Sequence, residues 1–115
     1  MIVVQEDKNL LKAGVFAELT LADYRELEQA IIKKLKAQHK LNLLLDLRKM
    51  AGFTLDVVWE DIKFTRSHPH DFARIAVIAD DQWTPWLSWL GTAFTDADTE
   101  IFSDADAAEA WARGR

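Results

Sequence analysis

LNLLLDL, residues 41–47, is an almost unbroken apolar run, interrupted only by Asn42 and Asp46. A strand with one wet face would alternate polar and apolar residues, so a run of this kind belongs to a strand covered on both faces, as in a parallel sheet. RIAVIAD, residues 74–80, repeats the pattern. Between the two, the spacing predicts a helix over Leu55–Ser67, with Thr54 at its N-cap and a stop before Pro69, because the residue preceding a proline avoids helical angles. Strand, helix and strand at this rhythm make a βαβ crossover.

Working outward toward the N-terminus, Ile2–Val4 and Leu10–Ala17 flank the polar EDKN at 6–9, the pattern of a β-hairpin. Thr20 opens TLAD and places Asp23 three residues on, an approximate capping box. Tyr24, Leu27, Ile31 and Leu35 then recur at three-to-four spacing while Arg25, Glu28, Lys33 and Lys36 fall elsewhere. That is an amphipathic helix lying on a flat surface. Toward the C-terminus follow a helix within DQWTPWLSWLGTAF (81–94), a short strand near Thr99–Phe102, and a last helix in DADAAEAWAR. The order is ββαβαβαβα. No repeat, low-complexity tract or linker divides it, so residues 1–115 form one α/β domain with a mixed, largely parallel sheet flanked by helices.

Composition narrows the function. A formal net charge of -5 opposes general nucleic-acid binding, which needs clustered Lys and Arg. The chain has no cysteine, which removes disulfides, thiolate catalysis and cysteine-held metals. Glu6 and Asp7 interrupt the N-terminus before a signal peptide's apolar core forms, and no apolar run is long enough for a transmembrane segment. The expected location is the cytoplasm.

At about 100° per residue, Trp83, Trp86, Leu87, Leu90 and Phe94 gather on one side of the helix in 81–94, the width of a core-facing stripe. Trp89 drifts to the edge of that stripe, where a half-exposed indole can line a pocket, touch another subunit or sit at a lipid headgroup.

LLLDLR at 43–48, GFTLDVVWEDIKF at 52–64, HPHDFARIAVIADDQW at 68–83 and the final AEAWAR together resemble the SpoIIAA-like proteins, small bacterial domains of the STAS/CRAL-TRIO type. The likeness runs over nearly the whole chain. It implies a binding or regulatory module rather than an enzyme, since STAS domains serve mainly in protein interaction and CRAL-TRIO domains bind hydrophobic ligands. Fold analogy does not choose between those roles. STAS-class anti-sigma-factor antagonists carry a phosphorylatable serine in an Asp-Ser-Ser-Gly-like turn; here the turn reads MAGFTL, with Thr54 as its one hydroxyl, and a cap role already accounts for Thr54.

Ligands in open α/β sheets bind beyond the carboxyl ends of the strands, which nominates Asp46 and Arg48 at the end of the first buried strand, Asp80 and Asp81 at the end of the second, and the adjoining Gly52 and Phe53. Helix capping and an Asp46–Arg48 pair explain the same residues structurally. HPHD at 68–71 lacks the spacing of a helical metal-binding His pair, and no nucleophile, phosphate loop or paired acid and base accompanies these residues. No catalytic residue, metal or cofactor is expected.

The second helix is apolar on two sides. Leu55, Val58, Trp59 and Ile62 are expected to face the core, leaving Val57 and Phe64 opposite, near Phe53. The preferred reading is therefore a non-enzymatic module that holds a hydrophobic or amphipathic small molecule, such as a lipid, between the second and third helices. Phe53, Val57, Phe64, Trp86, Trp89 and Leu90 would line the groove, and Arg48, Lys63 or Arg66 would hold an anionic head. The alternative is a protein-interaction module whose same apolar surface is covered by a protein partner or a second copy.

Overall fold

The computed structural model describes residues 1–8, 10–37, 40–67, 70–80 and 97–114. Along the chain these form β1 (Ile2–Asp7), β2 (Leu10–Leu19), α1 (Leu21–Leu35), β3 (Leu41–Phe53), α2 (Leu55–Ser67), β4 (Phe72–Ile78), β5 (Asp98–Phe102) and α3 (Ala105–Ala112). The helix expected within 81–94, with its tryptophans, lies outside the described residues.

The five strands join one sheet in sequence order, β1-β2-β3-β4-β5. β1 runs antiparallel to β2, and every other neighbouring pair is parallel. The opening hairpin is as the sequence predicts, though its turn is tighter: β1 continues through Asp7 and Lys8 turns the chain at φ 56°.

The apolar runs are two-sided because the sheet has helices on both faces. On one face α1 and α2 pack Tyr24, Leu27, Ile31, Val57 and Phe64 onto Leu11, Val15, Leu41, Leu43, Leu47 and Val77. On the other, α3 packs Ala108 and Ala112 onto Leu10, Leu44, Ala76 and Ile78. Leu43 and Leu44 are thus adjacent in sequence and buried in different layers, as strand alternation requires. Alanines on α3 let that short helix lie close to the sheet.

Helix α1 starts where its cap says it should. Thr20 Oγ1 accepts the Asp23 backbone N–H at 3.3 Å, and Asp23 Oδ2 accepts the Thr20 backbone N–H at 3.1 Å. Each of the two side chains satisfies a helix-end donor that would otherwise be orphaned.

Two expectations are corrected. First, β3 does not end at the Asp-Leu-Arg of 46–48 but runs to Phe53, because the far half of β2 stays alongside it: Phe16 pairs with Lys49, Ala17 with Met50 and Leu19 with Phe53. Asp46 and Arg48 are therefore mid-strand residues. Second, α2 sits on the sheet with the opposite face down. Val57 and Phe64 are buried, whereas Leu55 is 81% and Trp59 69% exposed. Periodicity shows that both sides are apolar but not which one meets the sheet. The entry to the helix fixes its rotation: the Thr54 N–H is held by Leu19 O at 3.1 Å, and Val57 N–H bonds back to Thr54 O at 3.1 Å.

Candidate functional site

On the outward side of α2, residues 55, 58, 59 and 62 share one face at 100° per residue. Leu55 and Trp59 stand in solvent, and Val58 and Ile62 are half-buried beneath them. Exposed Asp56 marks the first turn and exposed Arg66 the last, with exposed Lys63 three residues before Arg66. The Lys63 ammonium lies 3.6 Å from Glu60 Oε1. Single exposed apolar residues are ordinary, but a leucine and a tryptophan one turn apart over apolar neighbours make a contiguous patch of the kind that marks interaction surfaces.

Thr54, immediately before this face, is half-buried and donates its hydroxyl to the Asp56 carboxylate. A phosphate on that oxygen would meet a like charge in Asp56. The helix starts directly after Thr54, where the sequence places the cap, and the hydroxyl donates to a side chain of the first turn.

The opposite face of the sheet carries an open groove of about 360 Å³ beside the first turns of α3. Val3, Gly14, Phe16, Leu44 and Ile78 supply its apolar surface, and Asp46, Arg48, Lys12, Asp106 and Glu109 its charges. Both cations are matched within the fold. Arg48 Nε reaches Asp46 Oδ1 at 2.9 Å and its Nη2 reaches Oδ2 at 2.7 Å, a fork-on-fork pair. Arg48 accordingly holds the Asp46 carboxyl below the usual carboxylate range, chiefly through these bonds. Lys12 Nζ bonds Glu109 Oε1 at 2.7 Å. Asp80 and Asp104 add negative potential around Arg48. Of the strand-end group predicted from sequence, Asp46, Arg48 and Asp80 come together here; Asp81 lies outside the described residues.

This placement separates the residues assigned to one ligand groove. Arg48 lies on the α3 side of the sheet, with Lys63 and Arg66 on α2 across from it. Val57 and Phe64 lie under α2, in the core rather than on a groove wall. Phe53 packs against that core, partly buried. Trp86, Trp89 and Leu90 lie outside the described residues.

Sequence spacing missed a third cluster, between α1 and α2. Tyr24 donates its hydroxyl to Asp61, and Glu28 faces Glu60 beside them. Burial pushes the Asp61 carboxyl up, and burial, then the neighbouring Asp61 carboxylate, pushes the Tyr24 hydroxyl well up. Desolvation, followed by the hydrogen bond to Glu60 and its charge, raises Glu28 to about 7. The available signal was Tyr24 on the core stripe: a buried tyrosine hydroxyl needs a polar partner.

Among the described residues no group of three or more His, Asp or Glu is disposed to hold a metal ion. His70 is exposed, and His68 lies outside the described residues. No helix among the described residues is long and apolar enough to cross a membrane.

Comparison with known proteins places this arrangement. A family model described as SpoIIAA-like matches residues 10–113. An uncharacterized protein with a SpoIIAA-like fold from Shewanella loihica superposes with a TM-score of 0.77 at 23% identity, over 96% of this chain and 91% of that one. The anti-sigma factor antagonist SpoIIAA in its unphosphorylated form superposes with a TM-score of 0.65 at 8% identity, over the full length of both chains. At these identities the likeness to the solved structures is one of fold. No curated protein matches the chain.

Proposed function

The chain belongs to the SpoIIAA-like family, and we propose that it is a regulatory protein-interaction module that docks a partner protein on the outward face of α2. The fold generally serves as a non-enzymatic regulatory domain, and one solved neighbour is named as an antagonist of an anti-sigma factor. The observation that carries the reading is the exposure of Leu55 and Trp59 on a helix that buries Val57 and Phe64 from its other face. Tryptophan is the residue type most often found at the energetic centre of an interface, because it buries a large area with few rotamers to freeze. A ligand-carrier reading draws less support: Val57 and Phe64 are core residues, and the cations nearest the open groove, Arg48 and Lys12, are already paired.

The test is quantitative binding to a purified partner, first identified by affinity capture and then titrated calorimetrically. Trp59→Ala should weaken binding by about 30-fold or more, the effect of losing a hot-spot residue. Equal affinity for Trp59→Ala and Leu55→Asp would place the partner elsewhere and end this reading.

A further inference from the structure

The two edges of the sheet differ. β5 is five residues long and presents exposed Asp98 and Glu100, the kind of charge that blocks edge-to-edge pairing. β1 opens with four uncharged residues, Ile2, Val3, Val4 and Gln5, without proline or bulge. Its outward polar groups follow from its pairing with β2. Phe16 N–H bonds Met1 O at 2.8 Å and Met1 N bonds Phe16 O at 3.0 Å, so Met1 and Phe16 form a hydrogen-bonded pair. Such pairs alternate along an antiparallel ladder. Val3 with Gly14 and Gln5 with Lys12 are then the next bonded pairs, and the N–H and C=O groups of Ile2, Val4 and Glu6 point away from the sheet.

We propose that this edge pairs with β1 of a second copy of the chain, antiparallel about Val4, to make one continuous sheet. The strand is self-complementary in that register. Val4 lies opposite its own copy, Ile2 opposite Glu6 of the other chain and Val3 opposite Gln5, so no like charges are opposed, and all three outward residues find bonding partners. The acidic end of the strand is already balanced within each chain: Asp7 takes Arg113 Nη2 at 2.6 Å, and Glu6 lies 4.0 Å from the Lys34 ammonium. On the groove side, Val3 is 44% and Phe16 38% exposed. Across the twofold axis Val3 becomes a diagonal neighbour of Val3 in the other copy, within reach of contact, so the two Val3–Phe16 patches merge into one apolar strip. An isologous contact needs this kind of self-matching surface. It lies away from the outward face of α2, which stays available.

Val4→Pro tests the pairing, because a proline here removes an outward N–H and leaves the bonds to β2 in place. Wild-type protein should sediment as a dimer at high concentration, and Val4→Pro as a monomer with an unchanged circular dichroism spectrum. Since the chain has no cysteine, a Val3→Cys, Gln5→Cys double variant gives a second readout. The two positions oppose each other across the proposed contact in a non-bonded pair, close enough for a disulfide, and oxidation should yield a covalent dimer. If Val4→Pro does not fold, the cross-link decides: a covalent dimer supports the register, and its absence rejects it. A wild-type monomer at all concentrations, or a dimer that survives Val4→Pro but is lost in Trp59→Ala, overturns the proposal. The last result would move the self-contact to α2.

Discussion

Tyr24 on α1 donates its hydroxyl to Asp61 on α2, and this bond is the polar centre of the contact between the two helices. Its position explains why α2 turns Val57, Asp61 and Phe64 inward together: they lie three and four residues apart, on one side of the helix. Removing the hydroxyl leaves the Asp61 carboxyl short of a partner in a poorly hydrated place. Tyr24→Phe should therefore cost about 1–3 kcal/mol, read as a lower urea midpoint with an unchanged slope.

Glu28 gives the fold a pH dependence. Its carboxyl titrates at about 7 in the folded chain against 4.5 ordinarily, so between those values the folded state holds a proton that the unfolded chain releases. Stability from this group is full below about 4.5 and is lost as pH rises toward 7 and above. Asp61, also raised, acts in the same direction. Glu28→Gln should flatten this part of the profile and melt above wild type at pH 8. A melting temperature in wild type that rises steadily from pH 5 to 8, unchanged by Glu28→Gln, would contradict the cluster.

The orientation of α2 predicts opposite outcomes for two aromatic truncations. Phe64→Ala removes a buried ring and should cost about 3–5 kcal/mol, whereas Trp59→Ala, on the exposed face, should stay within about 0.5 kcal/mol of wild type. Chemical denaturation of both variants checks the assignment, and comparable losses would reverse it.

Helix α3 depends on its cap. Asp104 accepts the N–H groups of Asp106 at 3.3 Å and Ala107 at 3.2 Å, at the head of a helix only eight residues long. Asp104→Ala should destabilise the protein by about 1 kcal/mol. Amide exchange should speed up first in 105–112, where the cap holds the start of an eight-residue helix.

Much of this molecule is legible in one dimension. Residues 41–47 and 74–80 require a sheet covered on both faces, and the Thr20–Asp23 box and the 55–67 helix follow from local chemistry that needs no distant partner. The likeness to the SpoIIAA-like family, read from the same stretches, is matched by the family model and by the fold. What the tertiary structure decided is which surfaces are left over. α2 is apolar on both sides, so its burial could only be settled by the chain entering it, held at Thr54 by Leu19, and by the Tyr24 hydroxyl waiting for Asp61. The extent of β3 depends likewise on how far β2 accompanies it, a pairing between residues more than thirty positions apart. Arg48 and Lys63 read as neighbours on a line, yet a sheet stands between them. Local propensity and periodicity act within a turn or a strand and are written in consecutive residues; the face a helix presents and the side of a sheet a cation occupies are set by long-range packing, which consecutive residues do not encode.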